Sequence, residues 1–498
     1  MIRTGTEYRE SIRDGREVFV NGDRVADVTS HPAFRSMVEI RTRMQDMAHA
    51  PDTRDLMTVT RNGEAQVLLN ALPFAQADWW AKRRATDAVL DMAGGIVTRI
   101  GDETVGEMWS LHDCAAALND IDPRFAPNII AHVDRAVSAD LFHVSGNAGP
   151  ATDGTEMALR VVRETDAGVV VRGAKYETAA AYANQAFIKP TLTNWGDAEQ
   201  SSRAIGFVCD MATPGLKFLC RESFATRSPA EDYPLASRLD EADTLLIFDD
   251  VLVPWENVLF YRHTRAAMQV RATLHRYSAF AFVQRNLRLA DMLIGVALLA
   301  TRRSGLNRQQ PVQEKLSQLA LYRETINAHL TAAITLAERS PAGLMMPNQS
   351  LLYAGRMQAV SQLPAMIHLT RELCGAQLAL MPDAAAFRAP DTARWLDRCY
   401  AGDDWTAKDR RRLMAFARDL LNSDYAGHRL TFQLFAQGPP FAQLAAVYRN
   451  FDWEGPLALV KDCAGLSESI SERDSLSAGD STVSKWFATV APQGVAAH

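Results

Sequence analysis

The texture of the chain changes twice, near residue 138 and near residue 265, and those changes restrict the fold more than any single motif does. From about 30 to 137 the residues are helix formers broken by short punctuation, as in Trp79-Trp80-Ala81-Lys82-Arg83-Arg84-Ala85-Thr86-Asp87-Ala88-Val89-Leu90 ahead of Gly94-Gly95. β-Branched runs separated by turn residues follow: Val161-Val162, Val169-Val170-Val171, Ala204-Ile205-Gly206-Phe207-Val208 and Leu245-Leu246-Ile247-Phe248. After Val253-Pro254-Trp255-Glu256-Asn257-Val258, long amphipathic stretches cover about 270–340, 350–380 and 407–437. Leu287 to Ala300 and Val312 to Leu336 carry apolar residues at helical spacing, and neighbouring helices of that length predict an antiparallel bundle. The expectation is an α+β protein: an α-helical domain over 1–137, a β domain over 138–265, a helical bundle over 266–465 and a peripheral tail over 466–498.

The 498 residues suffice to bury a large apolar core. A net charge of -6 with acidic and basic residues interspersed offers no basic face, so nucleic acid is not expected as a partner. The N-terminus has charged residues and no apolar h-region, and no apolar run reaches membrane-spanning length, which points to a cytoplasmic protein without a membrane partner. Cys114, Cys209, Cys220, Cys374, Cys399 and Cys463 are scattered without CxxC pairs. They read as isolated thiols, not as a zinc knuckle or a disulfide framework, and no metal site is expected. No GxGxxG follows a predicted strand, which argues against a dinucleotide held in the Rossmann manner.

The opening stretch Thr4-Gly5-Thr6-Glu7-Tyr8-Arg9-Glu10-Ser11-Ile12-Arg13-Asp14-Gly15-Arg16-Glu17-Val18-Phe19-Val20-Asn21-Gly22 and the following Asp27-Val28-Thr29-Ser30-His31-Pro32-Ala33-Phe34 carry a family pattern. Further matches near residues 143, 178, 214, 254, 315, 375 and 438 spread it over nearly the whole chain. The chain resembles the 4-hydroxyphenylacetate 3-monooxygenase large components. That resemblance implies an acyl-CoA dehydrogenase-like fold, with an N-terminal α-helical domain, a middle β domain and a C-terminal four-helix bundle, assembled as a homotetramer. It implies FAD used as diffusible FADH2, delivered by a separate NAD(P)H:flavin reductase, and O2. The implied reaction is hydroxylation of a small aromatic or heteroaromatic substrate through a flavin C4a-hydroperoxide.

Such chemistry needs a dry cavity with a few donors, and a group that holds or removes a substrate proton. Arg99, in Gly94-Gly95-Ile96-Val97-Thr98-Arg99-Ile100-Gly101-Asp102-Glu103, resembles the arginine of the family's Gly-Arg-Thr-Pro-Asp-Tyr segment, and its permanent charge suits it to stabilise an anion. His143, in Asp140-Leu141-Phe142-His143-Val144, matches a family histidine that touches substrate and lies beside the flavin. His275, in Leu274-His275-Arg276-Tyr277, falls near a phenol-deprotonating base of the family, and an imidazole titrating near pH ~6.5 suits that transfer. The expected catalytic residues are therefore Arg99, His143 and His275, with Arg99, Glu103 and His143 against the substrate.

Glu103 stands where phenol hydroxylases of the family have tyrosine, and Gly101 where they have proline. Glutamate is not a neutral aromatic donor, which points away from 4-hydroxyphenylacetate. Glu103 would accept from a ring N–H and Arg99 would pair with a carboxylate, as in a pyrrole or pyridine acid. For the flavin, the resemblance implies contacts from Gly149, Pro150, Ala151 and Thr152, in a segment that has lost the family's arginine, and from Thr178 in Tyr176-Glu177-Thr178-Ala179-Ala180-Ala181-Tyr182-Ala183-Asn184. Gly375, Gln377, Gly438 and Pro439 complete that set. Two alternatives are a 4-hydroxybutyryl-CoA dehydratase-like lyase, two of whose cluster cysteines fall at Arg99 and Glu103, and a non-catalytic flavin-binding protein.

Overall fold

A computed structural model describes residues 2–146, 148–150, 156–190, 198–227, 229–402, 405–436 and 440–466, with the backbone alone at Asp102, Glu103, Ala198, Glu199, Arg265, Gln269 and Arg271. The chain enters through α1 (Gly5–Ser11), whose start is fixed by a capping box: the Thr4 hydroxyl accepts from the Glu7 N–H at 3.2 Å, and Glu7 Oε2 accepts from the Thr4 N–H at 2.7 Å. The cap aims Tyr8 into the core, where its hydroxyl donates to the Tyr182 carbonyl at 2.8 Å. Two short strands, β1 (Glu17–Val20) and β2 (Asp23–Arg24), precede α2 (Arg35–Asp46) and α3 (Arg54–Met57). The hairpin of β3 (Thr58–Arg61) and β4 (Glu64–Val67) leads to α4 (Gln76–Ala93), α5 (Asp102–Asn119) and α6 (Phe125–Ser138).

Residues before 138 are thus not helical throughout, as the sequence reading had them. Both hairpins turn on Asn-Gly pairs with positive φ, Asn21-Gly22 (54° and 87°) and Asn62-Gly63 (51° and 82°), the conformation that two-residue hairpin turns require. β1 then runs parallel to a strand of the middle region, with Glu17 opposite Lys217.

That middle region contributes β5 (His143–Gly146), β6 (Arg160–Thr165), β7 (Gly168–Thr178), β8 (Gln185–Ile188), β9 (Gly206–Asp210), β10 (Leu216–Cys220), the short helices α7 (Phe224–Arg227) and α8 (Ala236–Leu239), then β11 (Asp243–Pro254) and β12 (Val258–Phe260). Six strands form one sheet in the order β2-β1-β10-β11-β7-β6, and four form another in the order β12-β9-β8-β5. Phe207 of β9 meets Phe248 of β11 edge to face at 5.9 Å, joining the two sheets through their buried faces.

The last region comprises α9 (Thr264–Thr273), α10 (Ala279–Arg303), α11 (Gln310–Thr335), the small pair β13 (Glu338–Arg339) and β14 (Met345–Met346), α12 (Gln349–Cys374), α13 (Gln377–Leu380), α14 (Pro390–Tyr400), α15 (Ala407–Leu421), α16 (Asp424–Phe435), α17 (Pro440–Asn450) and α18 (Glu454–Ala464). The long helices α10, α11 and α12 pack on one another, α15 contacts α10 and α12, and α17 packs on α12. Leu293, Ile326, Leu330 and Leu363 are wholly buried in that core. An added Cβ at Gly355 would lie 2.5 Å from His329 Cβ, so only glycine lets α12 approach α11 there.

An aromatic cluster ties the first helices to the bundle. Trp79 of α4 meets Phe280 of α10 at 4.9 Å, and Trp109 of α5 meets Tyr277 at 5.9 Å. The Tyr277 hydroxyl donates to Asp113 of α5 at 2.6 Å. This packing sets α5 against the entry to α10 and brings Glu107 and His275 together. No helix among the described residues is long and apolar enough to cross a membrane.

Candidate functional site

The turn between α4 and α5 is held in a conformation its residues would not choose alone. Arg99 has φ 58° and Gly101 has φ 94°, where an added Cβ would lie 2.7 Å from Leu69 Cβ. The clamp is buried Glu241, which accepts from the Thr98 N–H at 3.0 Å on both oxygens and from the Thr98 hydroxyl at 2.8 Å. Arg41 of α2 donates to the Thr98 and Arg99 carbonyls and pairs with Glu241 at 3.4 Å. Arg429 of α16 reaches the other Glu241 oxygen at 3.3 Å.

So fixed, the Arg99 guanidinium meets Glu177 of β7, with Nη2 at 2.9 Å and Nε at 3.3 Å from Oε1. Glu177 is wholly buried, and its Oε2 has no hydrogen-bond partner. Burial pushes its carboxyl up to about 7, against the pull of Arg99 and Lys189. Close by, Lys189 at the end of β8 donates to both oxygens of Glu107 at 2.9 Å and lies 3.4 Å from the Ser145 hydroxyl. Burial lowers the Lys189 ammonium while Glu107 supports its charge. His275 Nδ1 sits 3.3 Å from Glu107 Oε1 and 3.2 Å from the Ser278 hydroxyl. Side chains from the first helices, both sheets and the bundle entry therefore form one buried array of alternating charge.

Arg99 also lines a cleft with Tyr8, Arg41, Asn70, Asp140 and His143. Arg41 stacks its guanidinium over the Phe142 ring of this wall at 4.3 Å. Asp140 has φ 47°, accepts from Asn70 Nδ2 at 2.8 Å, and keeps a buried Oδ2 with no partner. Burial raises its carboxyl to about 7. His143 is buried with both ring nitrogens unpartnered. Burial, with His132 and Arg135 nearby, lowers it to about 3, so the imidazole is neutral near pH ~7.

The structure thus brings Arg99 and His143 to one cleft and sets His275 in the charged array that Arg99 enters. Glu103 lies in the first turn of α5, but its side chain is outside the described atoms, as are the residues Ala151, Thr152, Gly438 and Pro439. The Thr178 hydroxyl donates to Asp243 at 2.6 Å, so toward a ligand its oxygen can only accept. Asp243, which also meets Arg221 at 2.9 Å and His428 at 2.5 Å, is held well below the usual carboxylate range by these partners despite its burial. Gly375 ends α12 with φ 69°, and Gln377 accepts from Arg410 at 2.9 Å; neither lines the cleft. Glu107, Asp140, Glu177 and Lys189 were missed in the sequence. A usable signal was strand phase: Lys175 and Glu177 share the inward face of β7 with Gly173, so both charges occupy core positions.

A flat cofactor ring needs an apolar shelf and backbone polar groups. The Ala148–Pro150 backbone lies along β7, where the Tyr176 N–H donates to the Ala148 carbonyl at 2.8 Å and an added Cβ on Gly149 would meet the Ala174 carbonyl at 2.9 Å. Tyr176 and Met157 are exposed beside it. The Thr178 oxygen and the Ala148–Pro150 backbone are polar groups of the kind an isoalloxazine edge takes, and they stand outside the residues that line the cleft with His143. Among the described residues, no three His, Cys, Asp or Glu side chains gather as a metal-holding set.

The family model for the 4-hydroxyphenylacetate 3-hydroxylase N terminal matches residues 4–260, and that for the C terminal matches residues 264–465. The chain is 30% identical over 456 residues to the pyoverdin chromophore biosynthetic protein PvcC of Pseudomonas aeruginosa, covering 88% of this chain and 89% of that one. It is 27% identical over 466 residues to the 4-hydroxyphenylacetate 3-monooxygenase oxygenase component of Thermus thermophilus, covering 91% and 95%. The solved oxygenase component of 4-hydroxyphenylacetate 3-monooxygenase complexed with FAD superposes with a TM-score of 0.85 at 26% identity, over 95% of this chain and 100% of that one. An archaeal 4-hydroxybutyryl-CoA dehydratase, 20% identical with a TM-score of 0.86, shares the fold.

Proposed function

The chain belongs to the 4-hydroxyphenylacetate 3-hydroxylase family, and on that premise we propose that it is the oxygenase component of a two-component FADH2-dependent monooxygenase acting on a small aromatic or heteroaromatic substrate. One observation supports the assignment of roles most strongly: Arg99 and His143 line a single cleft with Tyr8, Asn70 and Phe142. Bound as reduced FAD, the cofactor would supply two electrons, with O2 giving one oxygen atom to the ring and the other to water. Ala148–Pro150, Thr178 and His143 would hold it.

In this reading the chain's own residues orient the substrate, exclude water and move one proton. Neutral His143 hydrogen bonds to the substrate's polar group, because an imidazole lowered to about 3 keeps one donor and one acceptor. His275 takes the substrate O–H or N–H proton, and Glu107 beside Nδ1 stabilises the imidazolium that forms. Arg99, its charge matched by Glu177, orients the substrate from the cleft wall.

A separate NAD(P)H:flavin reductase would deliver the FADH2, and a cytoplasmic setting would supply NAD(P)H. The domains are read as 1–137, 138–265 and 266–465. Assembly as a homotetramer is supported by exposed apolar side chains on α16 to α18, among them Phe435, Phe441, Leu444, Leu459 and Val460. The test is reconstitution with a generic flavin reductase, NADH, FAD and a panel of phenols and azoles. Ring-hydroxylated product is expected, and quantitative conversion of O2 to free peroxide with every ring compound would refute the reading.

A further inference from the structure

We propose that Glu177 sets the charge of the substrate: because it neutralises Arg99 inside the protein, the cleft takes an uncharged aromatic ring and rejects an aryl carboxylate. The proposal rests on the reading that this cleft holds the aromatic substrate. The sequence alone made Arg99 the partner of a substrate carboxylate. The geometry gives that fork another partner, since Nη2 and Nε both converge on Glu177 Oε1.

The surrounding charges lead to the same conclusion. Two arginines line the cleft, and each already has a buried carboxylate: Arg99 has Glu177, and Arg41 has Glu241. Lys189, the next cation inward, is held by both oxygens of Glu107. Asp140, the acidic residue of the cleft wall, would repel an incoming carboxylate whenever it is ionised. Arg41, Arg99 and Lys189 are thus each paired with a buried carboxylate. An anionic ligand would therefore enter a dry site without a compensating charge or would have to displace Glu177 from Arg99, and either is costly. An uncharged phenol or azole needs only a donor and an acceptor, which the two unpartnered ring nitrogens of a neutral His143 provide.

Glu177 is therefore a positioning residue that acts through Arg99, and a charge-matched ligand pair reads its role. 4-Hydroxyphenylacetate and 4-hydroxyphenylacetamide have nearly the same shape and differ by one charge. Binding of each to the full-length protein, loaded with FAD and reduced anaerobically, is measured by titration calorimetry at pH 8. The unaltered protein is expected to bind the amide at least about tenfold more tightly than the acid. Glu177→Gln, which removes the carboxylate opposite Arg99 while keeping the side-chain shape, is expected to move that ratio toward the acid by about tenfold or more. Glu177→Asp, which keeps the charge, is expected to retain the preference for the amide.

Equal affinity of the unaltered protein for the two compounds, or no measurable binding of the amide, overturns the proposal even if no variant folds. So does a ratio in Glu177→Gln within about twofold of the parent. Turnover separates this from the functional reading: a preference for the amide in binding, with no hydroxylated product from any phenol, would sink the reading and leave the charge preference standing.

Discussion

Arg99 and Gly101 occupy left-handed backbone conformations in one short turn, and that strain is maintained by the Glu241 clamp. Gly101→Ala adds a Cβ against Leu69 at 2.7 Å, so a loss of about 1–3 kcal/mol in thermal unfolding is expected, with a loss of hydroxylation larger than the loss of folded protein. Asp140 offers a test by pH. Its folded carboxyl lies at about 7, above the unfolded value, so the folded state binds the extra proton and stability falls as pH rises from roughly 4 to 7. Asparagine tolerates φ 47° and keeps an acceptor for Asn70. Asp140→Asn is therefore expected to gain on the parent across that window, by up to a few kcal/mol in chemical denaturation, with no pH-dependent gain below pH ~4. Arg99, His143 and His275 were singled out because a family pattern surrounds each of them, and the structure brings Arg99 and His143 to one cleft while His275 lies outside its lining. Glu177 was not, because its partner is 78 residues away and no local pattern reports an ion pair across elements.

At the scale of elements, periodicity located the long helices and the valine-rich strands well, since amphipathic stripes and β-branched runs are local properties. It failed before residue 138, where a helix-rich composition outweighed two Asn-Gly hairpin signals whose positive φ values the structure shows. It also passed over the charged core face of β7, because Lys175 and Glu177 read as polar surface unless the strand phase is counted from Val169 and Val171. Helix packing separates two glycines that look alike in sequence. Gly295 of α10 has open space where a Cβ would go, so Gly295→Ala is expected to raise stability by about 0.5–1 kcal/mol. Gly355 of α12 faces His329, and Gly355→Leu is expected to cost about 1–3 kcal/mol in the same unfolding measurement.

For the whole molecule, the expected order of helices, sheets and helical bundle is the one observed, and the site lies where the three meet: Arg99 comes from the turn between α4 and α5, Glu107 from α5, Glu177 and Lys189 from the two sheets, His275 from the bundle entry. The exposed apolar side chains of α16 to α18 bear on assembly. Phe441→Glu combined with Leu459→Glu is expected to lower the mass measured by light scattering, with unchanged helicity. The most direct test of the central claim is isotopic. With a flavin reductase, NADH and FAD under 18O2, the product of an uncharged phenol or azole is expected to carry one atom of 18O on its ring. A product without label, or peroxide as the sole fate of oxygen across every ring compound tried, would contradict the account.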